Sequence, residues 1–372
     1  MKRRKDSPTR RQVIERAKTY LCPPVRLVLV IGCLGGLLVS QNASAGNNYW
    51  KGGAGSDWAT PANWSTNGIP TAADYAYIGA VGYLTNASVQ ITQSGEQCKD
   101  LYLGYDTGTT GTVTMTGGSL TLNDTANNAV NMIIGNKGNG RFIQTSGIVS
   151  NVDHTSFKQL NIGSDTGSSG NYQLDNGTIV GFSHLNVGVK GVGAFVQNAG
   201  SLITNLTYLD VGWSGGGQGT YTMNGGDVYV DTGINIANAA AGSFTQNAGR
   251  VTTKSGAYLS LGSSSWMGNY TLEGGTLMVG GPLYVGSGAG SHGTLDVGLN
   301  ATVICTSSSL ANALKIGSGG NGLCIMRGGT INSSYVYISP SAATDQGTLQ
   351  GWGDLNITNN LYMLESTDFS GS

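Results

Sequence analysis

The segment Asn151-Val152-Asp153-His154-Thr155-Ser156-Phe157-Lys158 brings an acid, an imidazole and an amine within a few residues of one another. Held together, such groups move a proton and stabilise a developing negative charge. Loops that interrupt a regular framework are where sites of this kind are grafted. Carbohydrate chemistry asks for more: two carboxylates flanking the bond in a glycosidase, or a carboxylate group for Ca²⁺ with a basic residue in a lyase. The other acids fall singly. Asp106 and Asp165 stand in equivalent turns, Asp175 and Asp227 near corners, and Glu273 alone. His184 and His292 have no metal-ligand spacing around them. Gly52-Gly53-Ala54-Gly55-Ser56-Asp57 matches the start of a calcium-binding nonapeptide, but those ions are shared between tandem copies and one copy reads as a turn. The sequons at Asn86, Asn205 and Asn269 follow from an Asn- and Thr-rich composition. No residue is therefore assigned as catalytic, cofactor-binding or metal-ligating, and the chain is expected not to be an enzyme.

The elements that would position these residues come from an internal repeat. A tetrapeptide of the form apolar, any residue, apolar, small begins at Leu101, Met132, Leu160, Leu185, Leu209, Ile234, Leu259, Leu283, Leu314 and Val336, stepping by 22 to 31 residues. Each copy is followed by a glycine (Gly111, Gly140, Gly170, Gly193, Gly219, Gly242, Gly268, Gly293, Gly322, Gly347). Seven residues later comes Gly118, Gly147, Gly177, Gly200, Gly226, Gly249, Gly275, Asn300, Gly329 or Asp354. Only residues that tolerate positive φ fill that offset, which predicts a left-handed corner in every unit.

Two residues after the opening glycine stand Val113, Phe142, Tyr172, Phe195, Tyr221, Phe244, Tyr270, Leu295, Cys324 and Leu349; two further on, Gln144, Gln197 and Gln246 interrupt an apolar column. Residues at i and i+2 share a strand face, so both columns are expected to point inward, with the glutamine amides bonded between neighbouring units. About 25 residues cannot bury an apolar face alone, so each unit must be one coil of a stack. The pattern is that of an all-β, single-stranded parallel β-helix (β-solenoid) of about ten coils, a rod roughly 48 Å long at about 4.8 Å per strand.

Glycine supplies 61 of the 372 residues and charged residues only 10%, the composition of a turn-dense chain with a patterned core. Residues 1–45 differ: nine Lys and Arg, an apolar run from Leu27 to Val39, then Ala43-Ser44-Ala45, the pattern of a signal peptide cleaved before Gly46. Arg10-Arg11 resembles a twin-arginine export motif and Val30-Ile31-Gly32-Cys33 a lipoprotein box, which the apolar residues after Cys33 disfavour. The remainder holds ten Lys and Arg against eighteen Asp and Glu, a net charge near −8 that argues against nucleic acid as a partner. No later apolar stretch is long enough for a membrane span. With Cys22 and Cys33 in the leader, Cys98, Cys305 and Cys324 remain, an odd number without metal spacing; Cys324 belongs to the inward column and a Cys305–Cys324 bridge is not indicated.

Between Asn48 and Ile78 lie three of the six tryptophans, an aromatic-rich cap for the open end of the stack. The opening Trp50, Trp58, Asn63-Trp64, Pro70 and Asp74, followed by units such as Leu185-Asn186-Val187-Gly188 and Gly193-Ala194-Phe195-Val196-Gln197-Asn198-Ala199-Gly200, resembles secreted bacterial β-helix proteins whose repeats are shared by autotransporter passengers and PEP-CTERM surface proteins. The resemblance implies a cell-surface or secreted scaffold that meets extracellular polysaccharide or matrix components. It departs at the carboxyl end, where neither a barrel nor a Pro-Glu-Pro sorting tail follows Leu361. The expected organisation is a signal peptide over 1–45, cap and first strands over 46–100, repeats over 101–354 and a cap or tail over 355–372. A structural and adhesive role leads, with a polysaccharide lyase or glycosidase as the alternative.

Overall fold

The computed structural model describes residues 46–124, 130–152, 158–198, 200–307, 309, 311, 313–339 and 346–363. The leader lies outside them, as do Asp153 and His154. From residue 46 onward the chain winds as a parallel β-solenoid of about 12 turns, two more than the ten tetrapeptides suggest. Among the described residues its strands join in one continuous 28-stranded sheet, wound into three faces that are the first, second and third sheets of each coil. The tetrapeptides make the first (Leu101–Leu103, Val130–Ile134, Lys158–Ile162, His184–Val187), the glycine-led blocks the second (Thr110–Met115, Asn139–Gln144, Ser169–Leu174, Val192–Gln197), and short runs after the corner the third (Ser119–Leu122, Ile148–Asn151, Gly177–Val180). Each strand pairs in parallel with the same strand one coil before and one coil after. In Ser201–Val211 and Asp227–Ile236 the third sheet runs into the first without a break.

The additional turns lie at the ends. Tyr75–Ile78 pairs with Leu101–Leu103, and Asn86–Ile91 pairs with Thr110–Met115 with Ala87 in the opening-glycine position. Ala76-Tyr77-Ile78-Gly79 is a further tetrapeptide copy, within the segment 46–100 expected to hold the cap and first strands. Asn47–Tyr49 and Ser56–Asp57 pair onto this coil, and the isolated antiparallel bridge Trp50–Trp64 turns the chain across it. Trp50, Trp58 and Trp64 are buried edge to face, at centroid distances of 5.0 and 4.8 Å, so their rings seal the core and offer no sugar platform. At the other end Gln346–Met363 pairs along its length with Asn321–Ile338, which carries the ladder beyond residue 354.

Two backbone corners recur. The anticipated one has positive φ from Gly118 to Gly275. Near Asn300 the ladder shifts register, so Asn300 pairs with Gly274 and misses the corner; further on, positive φ falls at Gly328 and Gly353, not at Gly329 and Asp354. The second corner is the small residue closing each tetrapeptide, left-handed from Gly79 to Ser339 and including Ala237 at φ 64°. The opening glycines serve close packing instead: a Cβ on Gly111 would stand 2.1 Å from the Ile78 carbonyl oxygen of the preceding coil.

The inward column of rings is continuous. Phe142, Tyr172, Phe195, Tyr221, Phe244 and Tyr270 are wholly buried and stacked at centroid distances of 4.4 to 5.0 Å. Each buried Tyr hydroxyl donates to the glutamine of the preceding coil: Tyr172 to Gln144 Oε1 at 2.6 Å, Tyr221 to Gln197 Oε1 at 2.5 Å and Tyr270 to Gln246 Oε1 at 2.6 Å. The amides in turn donate to corner carbonyls, Gln144 Nε2 to those of Gly147 and Thr178. The tyrosines and glutamines inside the core thus satisfy one another, as burial requires, whereas the indole N–H groups of Trp50 and Trp58 in the cap are buried without a partner.

Candidate functional site

Among the described residues, the outer surface of the first sheet holds an open cleft. It encloses about 570 Å³ and is lined by Lys158, Gly181, Ser183, His184, Asn205, Thr207 and Tyr208. Three successive coils build it. Lys158 opens a first-sheet strand where the 151–158 insertion ends; His184 opens the next; Tyr208 lies on the third, after a bulge at Asn205, whose φ of 63° is unusual outside glycine.

His184 and Tyr208 are register partners, and their rings stack at 5.3 Å. Ser183 Oγ accepts from the Lys158 amide at 2.9 Å and lies 3.0 Å from the Lys158 carbonyl oxygen and 2.9 Å from His184 Nδ1. When the hydroxyl proton goes to the carbonyl, Nδ1 must be the protonated ring nitrogen, leaving Nε2 as an acceptor. Burial lowers the His184 pKa below its ordinary 6.5, so the ring is neutral at pH 7. The arrangement can hydrogen-bond and stack against a polar ligand beside the Lys158 ammonium. Ser183 is a turn staple already engaged on both sides, unlike a free nucleophile.

Of the expected trio, only Lys158 is described, and it lies in this cleft; Asp153 and His154 fall outside the described residues. His184, which has no ligand spacing in the sequence, is the central ring. His292 stands far along the chain, 3.4 Å from Asn321 Nδ2. Asp106 and Asp165 close equivalent turns, with Thr109 and Ser168 hydroxyls donating to their carbonyls at 2.7 Å. Asp175 accepts from Gln173 and Asn198, and the main chain of Asp227 accepts from Gln197. Glu273 is not alone: Arg327 bridges it at 2.8 Å and Asp296 at 2.7 Å, an exposed network of modest worth. Asp57 caps the Ala59 amide in the first turn.

Sequence reading missed a second polar cluster, at the start of the stack. Lys99 pairs with Asp124 at 3.3 Å, both buried, and its amine lies 4.8 Å over the Tyr75 ring. Beside it Asp100 accepts from Asn131 N at 2.8 Å and Tyr102 OH at 3.0 Å, while burial pushes its pKa up to about 6. These contacts tie the loops of adjacent coils together. Cys98, Cys305 and Cys324 are buried and free; burial pushes the Cys305 and Cys324 thiols up to about 12, which leaves them unreactive. Among the described residues no three His, Cys, Asp or Glu side chains gather in a metal-binding group.

Fold and cleft together define a single-chain parallel β-solenoid with polar outer loops. No family model, no curated protein and no solved structure matches the chain. Among the described residues no helix is long and apolar enough to cross a membrane.

Proposed function

We propose that the chain is a secreted or cell-surface structural and adhesive scaffold, non-catalytic, whose solenoid presents loops to extracellular polysaccharide or matrix components. The observation that carries this reading is the direction of the aromatic column. Six rings that would form a sugar-binding track on the outside are stacked inside and wholly buried, where they serve rigidity. The signal-like residues 1–45 and the acidic remainder agree with export. Purified protein incubated with pectin, alginate and related polymers should release no unsaturated or reducing sugar, and its release would overturn the reading.

Among the described residues, the cleft beside Lys158 and His184 favours a polysaccharide-active alternative, because Lys158 ends the 151–158 insertion. Under that alternative Lys158→Ala and His184→Ala each abolish sugar release while leaving the thermal transition in place.

A further inference from the structure

Beneath the cleft, the outward position of the first sheet carries Asn161, Asn186, Asp210 and Asn235 on four successive coils, in register. All but Asn235 are buried. Stacked amides at strand spacing form a ladder in which each side chain donates to its neighbour. Here two donors point back along the stack, Asn186 Nδ2 to Asn161 Oδ1 at 2.7 Å and Asn235 Nδ2 to Asp210 Oδ1 at 2.7 Å, while Asn161 Nδ2 donates within its own strand to Gln159 Oε1 at 3.1 Å. Asn186 Oδ1 therefore faces forward, towards Asp210, and it is buried without a partner. Asp210 Oδ1 is taken by Asn235, which leaves the second carboxyl oxygen outside that bond. The register thus sets an unpartnered amide oxygen beside the one of these four positions where a carboxyl replaces an amide.

We propose that Asp210 is held as the protonated acid and donates its proton to Asn186 Oδ1, which completes the ladder and makes this part of the solenoid a pH-sensitive element. An unpartnered buried acceptor is costly, and a neutral carboxyl supplies the missing donor that an anion cannot. The groups packed around Asp210 contain no cation to hold it ionised. They are Asn186 and Asn235 on the flanking coils, Tyr208 on its own strand, His184 stacked on Tyr208 and kept neutral by burial, and Tyr258, whose ring lies over the side-chain-free Gly233 two coils on from Tyr208. Burial accordingly raises the Asp210 pKa from 3.8 to about 6, against a smaller opposing contribution from the Asn235 hydrogen bond.

The sign of the effect follows. Between about pH 4 and 6 the unfolded chain has lost this proton and the folded chain has kept it, so stability falls as pH rises through that window and levels off above it. Asp210→Asn replaces the acid by an amide that donates to Asn186 and accepts from Asn235 at every pH. Its melting temperature should exceed that of the wild type near pH 7, with the gap closing as pH is lowered to about 4. The direct reading is the side-chain carboxyl carbon of Asp210, assigned by NMR on the wild-type protein, which needs no variant to fold. A midpoint near 6 is expected. A midpoint at or below the ordinary 3.8 overturns the proposal, because it means that Asp210 is an anion accepting from amides on both sides.

Discussion

At the scale of single residues, glycine does three different jobs in this chain. Gly226 and Gly216 both have left-handed φ, 81° and 85°, but a Cβ on Gly226 would stand 2.3 Å from the Ser201 carbonyl oxygen, whereas one on Gly216 meets nothing within 4 Å. Gly68 is neither left-handed nor crowded. Thermal unfolding of the three alanine variants should therefore rank them: little change for Gly68→Ala, about 1 kcal/mol for Gly216→Ala from backbone strain alone, and clearly more for Gly226→Ala. Equal shifts for Gly216 and Gly226 contradict the steric role of the corner. The seven-residue offset made this corner legible from Gly118 to Gly275, where glycine fills it every time, and misplaced it at Asn300, Gly329 and Asp354, where the register shifts. The corner at Gly104 and its counterparts was harder to read, since Ala237 and Ser339 occupy it too and disguise a φ requirement as a size requirement.

The elements add a period of two coils. Phe142, Phe195 and Phe244 are each followed at i+2 by glutamine, while Tyr172, Tyr221 and Tyr270 are followed by Leu174, Met223 and Leu272. The tyrosine of one coil bonds the glutamine of the coil before it, so each hydroxyl has a partner without the core losing its close packing. Tyr221→Phe leaves Gln197 Oε1 unpartnered and should cost about 1–3 kcal/mol. Combined with Gln197→Leu, it should cost less than the two changes summed, and strict additivity contradicts the pairing. Phe195→Ala opens a cavity flanked by Tyr172 and Tyr221 that the stack cannot collapse, at about 3–5 kcal/mol by chemical denaturation. The inward columns and the bonding of glutamines between coils were legible from i, i+2 spacing. The cleft was not, because Ser183, His184 and Tyr208 meet only through the register of adjacent coils and a bulge that no local pattern announces.

Across the molecule, solenoid order rests on one repeated relation: each coil lies directly on the next, in parallel and in register. The first coil is hard to recognise in the sequence because it carries Ala87 where later coils carry glycine and is packed against the tryptophans of the cap. The stack itself is tested by spin labels on outward positions of the second sheet, which register places four, six and nine coils apart: Thr114 with Thr222, Thr114 with Thr271, and Thr114 with Gln350. Pulsed electron paramagnetic resonance on the three double-cysteine variants should give distances rising in proportion to coil number, near 19, 29 and 43 Å at about 4.8 Å per coil. Distances that fail to increase in that order, or that cluster at one value, contradict the coil-upon-coil solenoid.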